Sequence, residues 1–233
     1  MKNGVAFMNN SFSNEKNIKR MIEQYKKSFE KYGDSELSLM WSKSGHNERL
    51  ESLTNNLNLD NSTILDYGCG LAHLKEFIAK KYNDFCYTGV DIVREFILYN
   101  NNKYNNKLKF NLINDYNDID EKYDYIFISG VFNVLIKNNF EEQFNYIKII
   151  LEYLFEKTNI CLSVNFMSDD VDFMNEDSYH QNINELYDFV SKTLSKRLIL
   201  DRSTMPYEFT MKIFKNTEKE KNIYKYKVIN ENC

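Results

Sequence analysis

The sequence predicts an α/β protein in which a doubly wound, mostly parallel sheet of seven strands has an antiparallel last strand and follows a helical cap. From residue 62 onward, short apolar runs alternate with helical patterns of ten to fifteen residues. That alternation is typical of right-handed crossovers covering both faces of a parallel sheet. Only residues 201–206 separate the last two strands, and so short a connection requires an antiparallel pair. The predicted strands are 63–67, 85–90, 108–113, 123–129, 160–166, 197–200 and 207–214.

The helical cap is predicted from the first sixty residues. Apolar side chains in residues 14–32 recur at spacings of three and four, as on one face of an amphipathic helix. The opposite face interleaves six cations with three glutamates, so we interpret it as solvated rather than as a phosphate site. We therefore divide the chain into a cap, residues 1–60, and a sheet domain, residues 61–233. Within the sheet domain, helices are predicted at 71–82, 93–104, 140–156 and 182–194.

Composition and charge exclude several classes of protein. The chain has 233 residues, with 30 Lys and Arg against 34 Asp and Glu and a formal net charge of -4. This slightly acidic balance argues against a nucleic-acid partner, whose phosphates favour a basic surface. No apolar run reaches the length of a signal-peptide core or a membrane span, so we expect neither export nor membrane insertion. Four scattered cysteines, Cys69, Cys86, Cys161 and Cys233, form no C-x-x-C pair and indicate reduced thiols in a cytoplasmic protein.

A glycine turn after the first strand is the first sign of a ligand site. The strand ends in Asp66, and Gly68 and Gly70 follow before the next predicted helix. Glycine suits such a turn because it permits positive φ and lets a ligand approach the backbone closely. The second strand ends in Asp91, 21 residues after Gly70, where a carboxylate can accept hydrogen bonds from ribose hydroxyls. The alternative role for Asp91 is a helix cap.

The residues around the turn distinguish two kinds of ligand. A dinucleotide fold needs a third glycine three residues after the second, and His73 occupies that position. Asp66 would repel a pyrophosphate but suits a ligand that carries an ammonium group. The combination of glycines, ribose carboxylate and Asp66 therefore points to S-adenosylmethionine.

On these residues the chain resembles the class I S-adenosylmethionine-dependent methyltransferases over roughly residues 62–215. The resemblance implies a Rossmann-like sheet, S-adenosylmethionine as cofactor and S-adenosylhomocysteine as product. It implies the following cofactor contacts: Asp66, Gly68 and Gly70 at the methionine side, Asp91 and Ile92 at the ribose, Asp115 and the Tyr116 backbone N–H at the adenine, and Ser129 and Gly130 near the methionine ammonium.

A narrower resemblance concerns the acceptor. Residues 33–35, 38–43, 129–133 and 207–210 are similar to small bacterial methyltransferases found with surface-polysaccharide genes. This similarity implies O-methylation of a small, anionic or glycan-like capsule precursor, such as a phosphoramidate or a sugar nucleotide. The His-Asp-Tyr run common before the last strand of such proteins is replaced here by residues 201–203, which read Asp-Arg-Ser.

Candidate catalytic residues are few, because methyl transfer from a sulfonium mainly needs alignment and exclusion of water. His180, after the fifth strand, is a candidate base or substrate-binding residue. His46, together with Trp41 and Lys43, is expected to close over the site from the cap. Trp41 is expected to stack on cofactor or substrate. We expect His73, next to the glycine turn, to be packed or exposed rather than catalytic.

Two acidic features have less specific interpretations. Asp169, Asp170 and Asp172 lie in one loop and lack the separate ligands that a divalent metal needs, so we expect no metal. Glu208 opens the last strand, and it either reaches the pocket or caps the edge of the sheet.

Other functions fit the sequence less well. A regulatory module that binds S-adenosylmethionine or a nucleotide without turnover is the main alternative. A nicotinamide oxidoreductase is disfavoured by His73 in place of the third glycine. Methylation of DNA amino groups is disfavoured because Pro206 is the only proline, whereas such enzymes carry an Asn/Asp-Pro-Pro-aromatic motif. The oligomeric state and the acceptor stay open.

Overall fold

The computed structural model describes residues 6–41, 45–137 and 139–216. The helices are α1 (Ala6–Tyr32), α2 (His46–Thr54), α3 (His73–Ile78), α4 (Arg94–Lys103), α5 (Phe140–Glu156) and α6 (Ile183–Phe189). The strands are β1 (Ser62–Tyr67), β2 (Phe85–Asp91), β3 (Lys109–Leu112), β4 (Tyr123–Ile128), β5 (Thr158–Met167), β6 (Leu198–Asp201) and β7 (Glu208–Phe214).

The seven strands form one sheet in the order β3-β2-β1-β4-β5-β7-β6. β7 runs antiparallel to both β5 and β6, and the other pairings are parallel. The predicted fold class is therefore confirmed, including the reversed last strand. Tyr67 of β1 pairs with Val90 of β2 and with Ile128 of β4, so the carboxyl ends of these strands meet at one edge.

Consecutive residues of the central strands pack on opposite faces of the sheet, as the pleat requires. In β4, Ile126 belongs to the core shared with α5 and α6, whereas Phe127 belongs to the core shared with α2 and α3. Ile64 and Leu65 of β1 divide in the same way. Burial on both faces explains why these strands are continuously apolar rather than alternating.

The predicted helix boundaries needed three corrections. The first helix, predicted over residues 14–32, begins earlier, at Ala6. The helix predicted at 71–82 is shorter at both ends: Ala72 has a left-handed φ of 60°, so α3 begins only after it, and α3 ends at Ile78. The helix predicted at 182–194 is α-helical only to Phe189 and continues as a π-helix, Val190–Leu194. No helix in the described part of the chain combines the length and apolar character of a bilayer crossing.

The two cap helices relate differently to the sheet. α2 buries Leu50 and Leu53 in the same core as Ile64 of β1, and the backbone oxygen of Leu53 accepts a 2.9 Å hydrogen bond from Ser163 Oγ. α1 reaches the sheet domain through α4, where Phe29 packs edge-on against Phe96 with ring centroids 5.6 Å apart. The division of the chain at residue 60 stays a prediction. α2, which precedes that boundary, shares its core with the sheet.

A buried ion pair fastens α2 to the last strand. Arg49 of α2 donates to both carboxylate oxygens of Glu208, and its Nε lies 2.7 Å from Oε2. The exposed fractions of the two side chains are 5% and 11%. Nearby, Lys212 of β7 donates to the backbone oxygen of Ser52 at 2.5 Å. Glu208 thus joins the cap to β7, which is paired on both sides within the sheet, and it does not line the large cavity described below.

We expect Glu208→Ala to lower the free energy of unfolding by about 3–5 kcal/mol, because it leaves the Arg49 guanidinium buried without its carboxylate. Arg49→Met combined with Glu208→Leu should recover most of that loss. Urea denaturation measures both effects. Asp188→Ala is the matched control, since it removes the exposed 2.8 Å pair with Lys192 and should cost less than about 0.5 kcal/mol. Equal losses for Glu208→Ala and Asp188→Ala would contradict the expectation.

Candidate active site

A cavity opens at the carboxyl ends of β1, β2 and β4, beneath the cap. It encloses about 1270 Å³ of empty space, counting its open mouth. Ligands of doubly wound sheets bind at this edge, where helices on opposite faces diverge. Ten of the predicted site residues line it: Trp41, His46, Asp66, Gly68, Gly70, Asp91, Ile92, Asp115, Ser129 and Gly130.

The glycine turn is held close to the loop after β4. Gly68 has a φ of 76°, and a Cβ placed on it would lie 2.3 Å from Cγ2 of Val131. Its N–H and that of Cys69 both donate to the backbone oxygen of Val90, at 2.8 and 2.9 Å. Glycine is required at position 68 for both conformation and space.

Asp91 ties the end of β2 to this turn. Its Oδ2 accepts a 2.8 Å hydrogen bond from the Gly70 N–H, and its Oδ1 accepts one of the same length from the Val93 N–H. Burial raises the pKa of Asp91 to about 6, although these backbone hydrogen bonds oppose the shift. A carboxylate offers about four acceptor positions, so each oxygen keeps capacity for a further donor.

Asp66 is the most buried charged group of the cavity, with 2% of its surface exposed. Its Oδ2 accepts a 2.5 Å hydrogen bond from the Tyr87 hydroxyl of the neighbouring strand. Burial raises the pKa of Asp66 to about 7, and the nearby charge of Asp91 adds to the shift. A cation placed beside Asp66 would favour its ionised form and so would bind there.

Asp115 and Tyr116 lie at the end of β3, where the chain enters a 3-10 turn (Tyr116–Asp118). Asp115 lines the cavity, together with Ile113 and Asn114. Tyr116 does not: its ring packs on Tyr153, and its backbone N–H donates to Asp115 Oδ1 at 2.7 Å. The N–H predicted to donate to a ligand therefore has a partner within the protein.

The cap supplies the apolar wall of the cavity. α1 contributes Ile18, Met21 and Tyr25 to the lining, opposite the sheet edge. Trp41 stacks on Arg49, whose guanidinium carbon lies 3.4 Å from the ring centroid. Trp41 also packs against the chain at position 130, where only glycine fits, because a Cβ on Gly130 would lie 2.2 Å from the indole ring.

The three histidines fall into two groups. His46 and His73 both line the cavity, and His46 Nε2 lies 3.1 Å from His73 Nδ1. His73 is therefore not only a packing residue. It lines the cavity, and its Nε2 lies 2.9 Å from Oδ1 of Asp34. His180 is buried outside the cavity lining, with Nδ1 2.7 Å from the backbone oxygen of Ser168. Its catalytic role stays a prediction without support from its position.

The three aspartates of the loop after β5 each have a hydrogen-bonding partner within the protein. Asp169 accepts from Asn182, Asp170 pairs with Arg202, and Asp172 accepts from the Tyr207 hydroxyl, at 2.6 to 2.7 Å. Lys43 and Cys233, named in the sequence analysis, lie outside the described residues.

The sequence reasoning gave Asp34 no role in the site, and it did not predict that His73 contacts both Asp34 and His46. Asp34 is separated from His73 by 39 positions, and His46 from His73 by 27. No local spacing signals a contact over such distances. The sequence signal that could have indicated these contacts is weak: Asp34, His46 and His73 each lie at or next to an end of a helix.

Comparison with known proteins agrees with the architecture. No protein-family model matches the chain. A Mycobacterium tuberculosis protein that is named as a candidate methyltransferase is 27% identical over 158 residues, which cover 67% of this chain and 95% of that protein.

Solved structures give the fold. Magnesium protoporphyrin IX methyltransferase from Synechocystis PCC 6803, with bound SAH, superimposes with a TM-score of 0.59 and 15% identity over 90% of this chain and 99% of that one. A plantazolicin methyltransferase in complex with SAH superimposes with a TM-score of 0.58 and 14% identity. The match covers 89% of this chain and 99% of that one. The fold is that of Rossmann-like methyltransferases. Such neighbours have been crystallised with SAM or SAH.

We expect Gly68→Ala to destabilise the protein by about 1–3 kcal/mol, because the new Cβ combines a left-handed φ with the contact to Val131. Gly33→Ala is the matched control: Gly33 has a φ of 61° but no atom within 4 Å of the added Cβ. Chemical denaturation should show a larger loss at position 68 than at position 33. An equal loss at both positions would mean that the close approach to Val131 has no energetic role.

Proposed function

We propose that the protein is an S-adenosylmethionine-dependent methyltransferase that acts on a small-molecule acceptor. One observation supports this most: Asp66, the glycine turn and Asp91 meet around one cavity at the carboxyl ends of β1 and β2. The methyltransferase relative and the shared fold point in the same direction.

The residues of the cavity fit S-adenosylmethionine. Asp66 is a buried carboxylate that accepts a hydrogen bond from the Tyr87 hydroxyl, and it suits the ammonium group of the methionine part. Asp91 keeps acceptor capacity for ribose hydroxyls. Asp115 suits the exocyclic amine of adenine, and Ile92 lines the wall beside it. The backbone around Ser129 and Gly130 stands on the far side of the glycine turn and would complete the methionine side.

When bound, S-adenosylmethionine supplies an electrophilic methyl group on a sulfonium. The chain's task is then to hold the acceptor in line with that methyl and to keep water away. Ile18, Met21 and Leu50 form an apolar surface over the cavity that serves the second purpose. Trp41 closes the side near Gly130, where it lines the cavity and can contact either ligand.

The acceptor class is a narrower proposal. The resemblance to polysaccharide-linked methyltransferases favours a capsule precursor, such as a sugar nucleotide or a phosphoramidate, in a cytoplasmic enzyme. Cys69 and Cys161 are buried free thiols and Cys86 is an exposed one, which supports a reducing compartment. The names of the structural neighbours refer to very different molecules, magnesium protoporphyrin IX and plantazolicin, so they do not narrow the acceptor.

We expect calorimetry to detect binding of S-adenosylmethionine, and Asp91→Asn to weaken it at least tenfold, because a charge-assisted hydrogen bond contributes about 1.5–3 kcal/mol. Asp60→Asn, a matched change at an exposed position outside the cavity, should leave the affinity unchanged. Absence of binding at about 1 mM, which corresponds to roughly 4 kcal/mol, would overturn the proposed function. Binding without methyl transfer to any metabolite of an extract would instead favour a regulatory module.

The affinity for S-adenosylmethionine should depend on pH through Asp66. Its pKa of about 7 in the empty protein means that the carboxylate gains protons as the pH falls, and the protonated form cannot pair with an ammonium group. We therefore expect the dissociation constant to rise about tenfold between pH 7.5 and 6.

In Asp66→Asn the affinity should be lower at pH 7.5, and most of its dependence on pH should vanish. Calorimetry across this range measures both effects. An unchanged pH profile in the variant would show that another group is responsible.

A further inference from the structure

The cavity continues past the end of β1 onto the sheet face that packs on α5. Tyr67, Ile113 and Ile150 belong to one core cluster on this face, and all three line the cavity. Tyr146 of α5 packs against the same cluster and lines the cavity too. The connection from β3 to β4, described in full over residues 113–122, forms a 3-10 turn but no α-helix, which leaves room here for the cavity. We call the part of the cavity that these four residues line the α5 lobe.

Three consecutive backbone N–H groups follow β3, and all of them have partners within the protein. Those of Asn114 and Asp115 donate to Oδ2 of Asp118, at 2.7 and 3.4 Å. That of Tyr116 donates to Oδ1 of Asp115. A ligand beside Asp115 that needs hydrogen-bond donors must therefore obtain them from side chains.

Tyr67 and Tyr146 bring two phenol hydroxyls to the α5 lobe. Neither hydroxyl has a hydrogen-bond partner in the described part of the chain, and neither is among the polar atoms that are buried without a partner. Both hydroxyls are therefore accessible, and the residues that carry them line the cavity. Each can donate one hydrogen bond. Lys137 lies 3.9 Å from the ring centroid of Tyr146 and helps to hold that ring in place.

The two phenols stay neutral and interact with Asp115. Burial raises the pKa of Tyr146 to about 12, and the negative charge of Asp115 adds to the shift. Burial is also the largest cause that raises the pKa of Tyr67, and Tyr146 and Asp115 add to it. Both phenols therefore keep their hydrogens at physiological pH, within electrostatic reach of the Asp115 carboxylate.

Adenine carries groups that match this arrangement. Its exocyclic amine donates, and the ring nitrogens N1 and N7 on either side of that amine accept. Asp115 offers an acceptor for the amine, and the two phenols offer donors for the ring nitrogens. Asn114 also lines the cavity, but it is exposed, so water competes for its amide.

We propose that Tyr67 and Tyr146 bind the adenine of S-adenosylmethionine, their hydroxyls donating to the two ring nitrogens that flank the exocyclic amine, in place of the backbone N–H of Tyr116. The inference rests on the proposed methyltransferase function and deepens its cofactor site. Tyr67 and Tyr146 are then cofactor-binding residues, one supplied by β1 and the other by α5.

Calorimetry with S-adenosylhomocysteine tests the two tyrosines singly. We expect Tyr67→Phe and Tyr146→Phe each to raise the dissociation constant about three- to tenfold, because each removes one hydrogen bond between neutral groups. Tyr125→Phe is the matched control: Tyr125 is as buried as Tyr67, at 6% against 7% exposed, but it does not line the cavity, so the affinity should stay unchanged. Unchanged affinity in Tyr67→Phe or in Tyr146→Phe would overturn the assignment of that residue.

Deaza analogues distinguish a hydrogen bond from a packing role. In 1-deaza- and 7-deaza-S-adenosylhomocysteine, a C–H group replaces one of the ring nitrogens that flank the amine. A tyrosine cannot donate to the missing nitrogen, so its Phe variant should bind that analogue as tightly as the wild-type protein does. Each variant should lose its effect with one analogue and keep it with the other. Equal losses with the parent ligand and both analogues would mean that the tyrosines only shape the cavity, which would overturn the inference.

The wild-type protein provides a comparison that does not depend on the folding of any variant. It should bind each analogue about three- to tenfold more weakly than S-adenosylhomocysteine. If it binds neither S-adenosylmethionine nor S-adenosylhomocysteine at about 1 mM, both the proposed function and the adenine contacts are wrong. If it binds both but does not distinguish the analogues from the parent ligand, only the adenine contacts are wrong.

Discussion

The two hydrogen bonds that Asp91 accepts hold the candidate site together. One comes from Gly70 in the turn after β1, and the other comes from Val93 at the start of the next helical segment. Through them a single carboxylate sets the position of the glycine turn relative to the end of β2. The adjacent carboxylate of Asp66 is buried beside it, and desolvation raises the pKa of both groups. A cavity with two carboxylates that are costly to ionise favours a ligand that brings a positive charge and hydroxyl donors.

The cap completes the cavity rather than merely covering it. α2 is anchored by the buried pair of Arg49 and Glu208, and this anchor also sets the plane on which Trp41 stacks. Trp41 in turn packs against Gly130 at the end of β4. The sheet edge and the cap therefore share one continuous set of contacts. The cavity lining follows from these contacts: carboxylates and backbone lie at the sheet, apolar side chains and His46 lie at the cap, and His73 lies at the start of α3.

The sheet and much of the cavity lining at its carboxyl ends were predictable because their signals are local. Strand and helix periods, the short link before β7, and the spacing from Gly70 to Asp91 all lie within a few dozen residues. Residues with such local signals, including Asp66, Gly68 and Asp115, line the cavity as expected. Helix ends were less predictable, as at Ala72, because a single left-handed residue delays the start of α3 without changing the apolar pattern.

The sequence by itself determined the number of strands, the reversed direction of the last strand and the carboxylates at the strand ends, because these follow from periodicity and connection length. Tertiary structure alone decided which polar side chains from distant segments meet. It placed His73 between Asp34 and His46, paired Glu208 with Arg49 away from the cavity, and left His180 beside Ser168. The physical reason is that hydrogen bonds between side chains depend on the packing of whole elements to within about 0.5 Å, which no local pattern specifies.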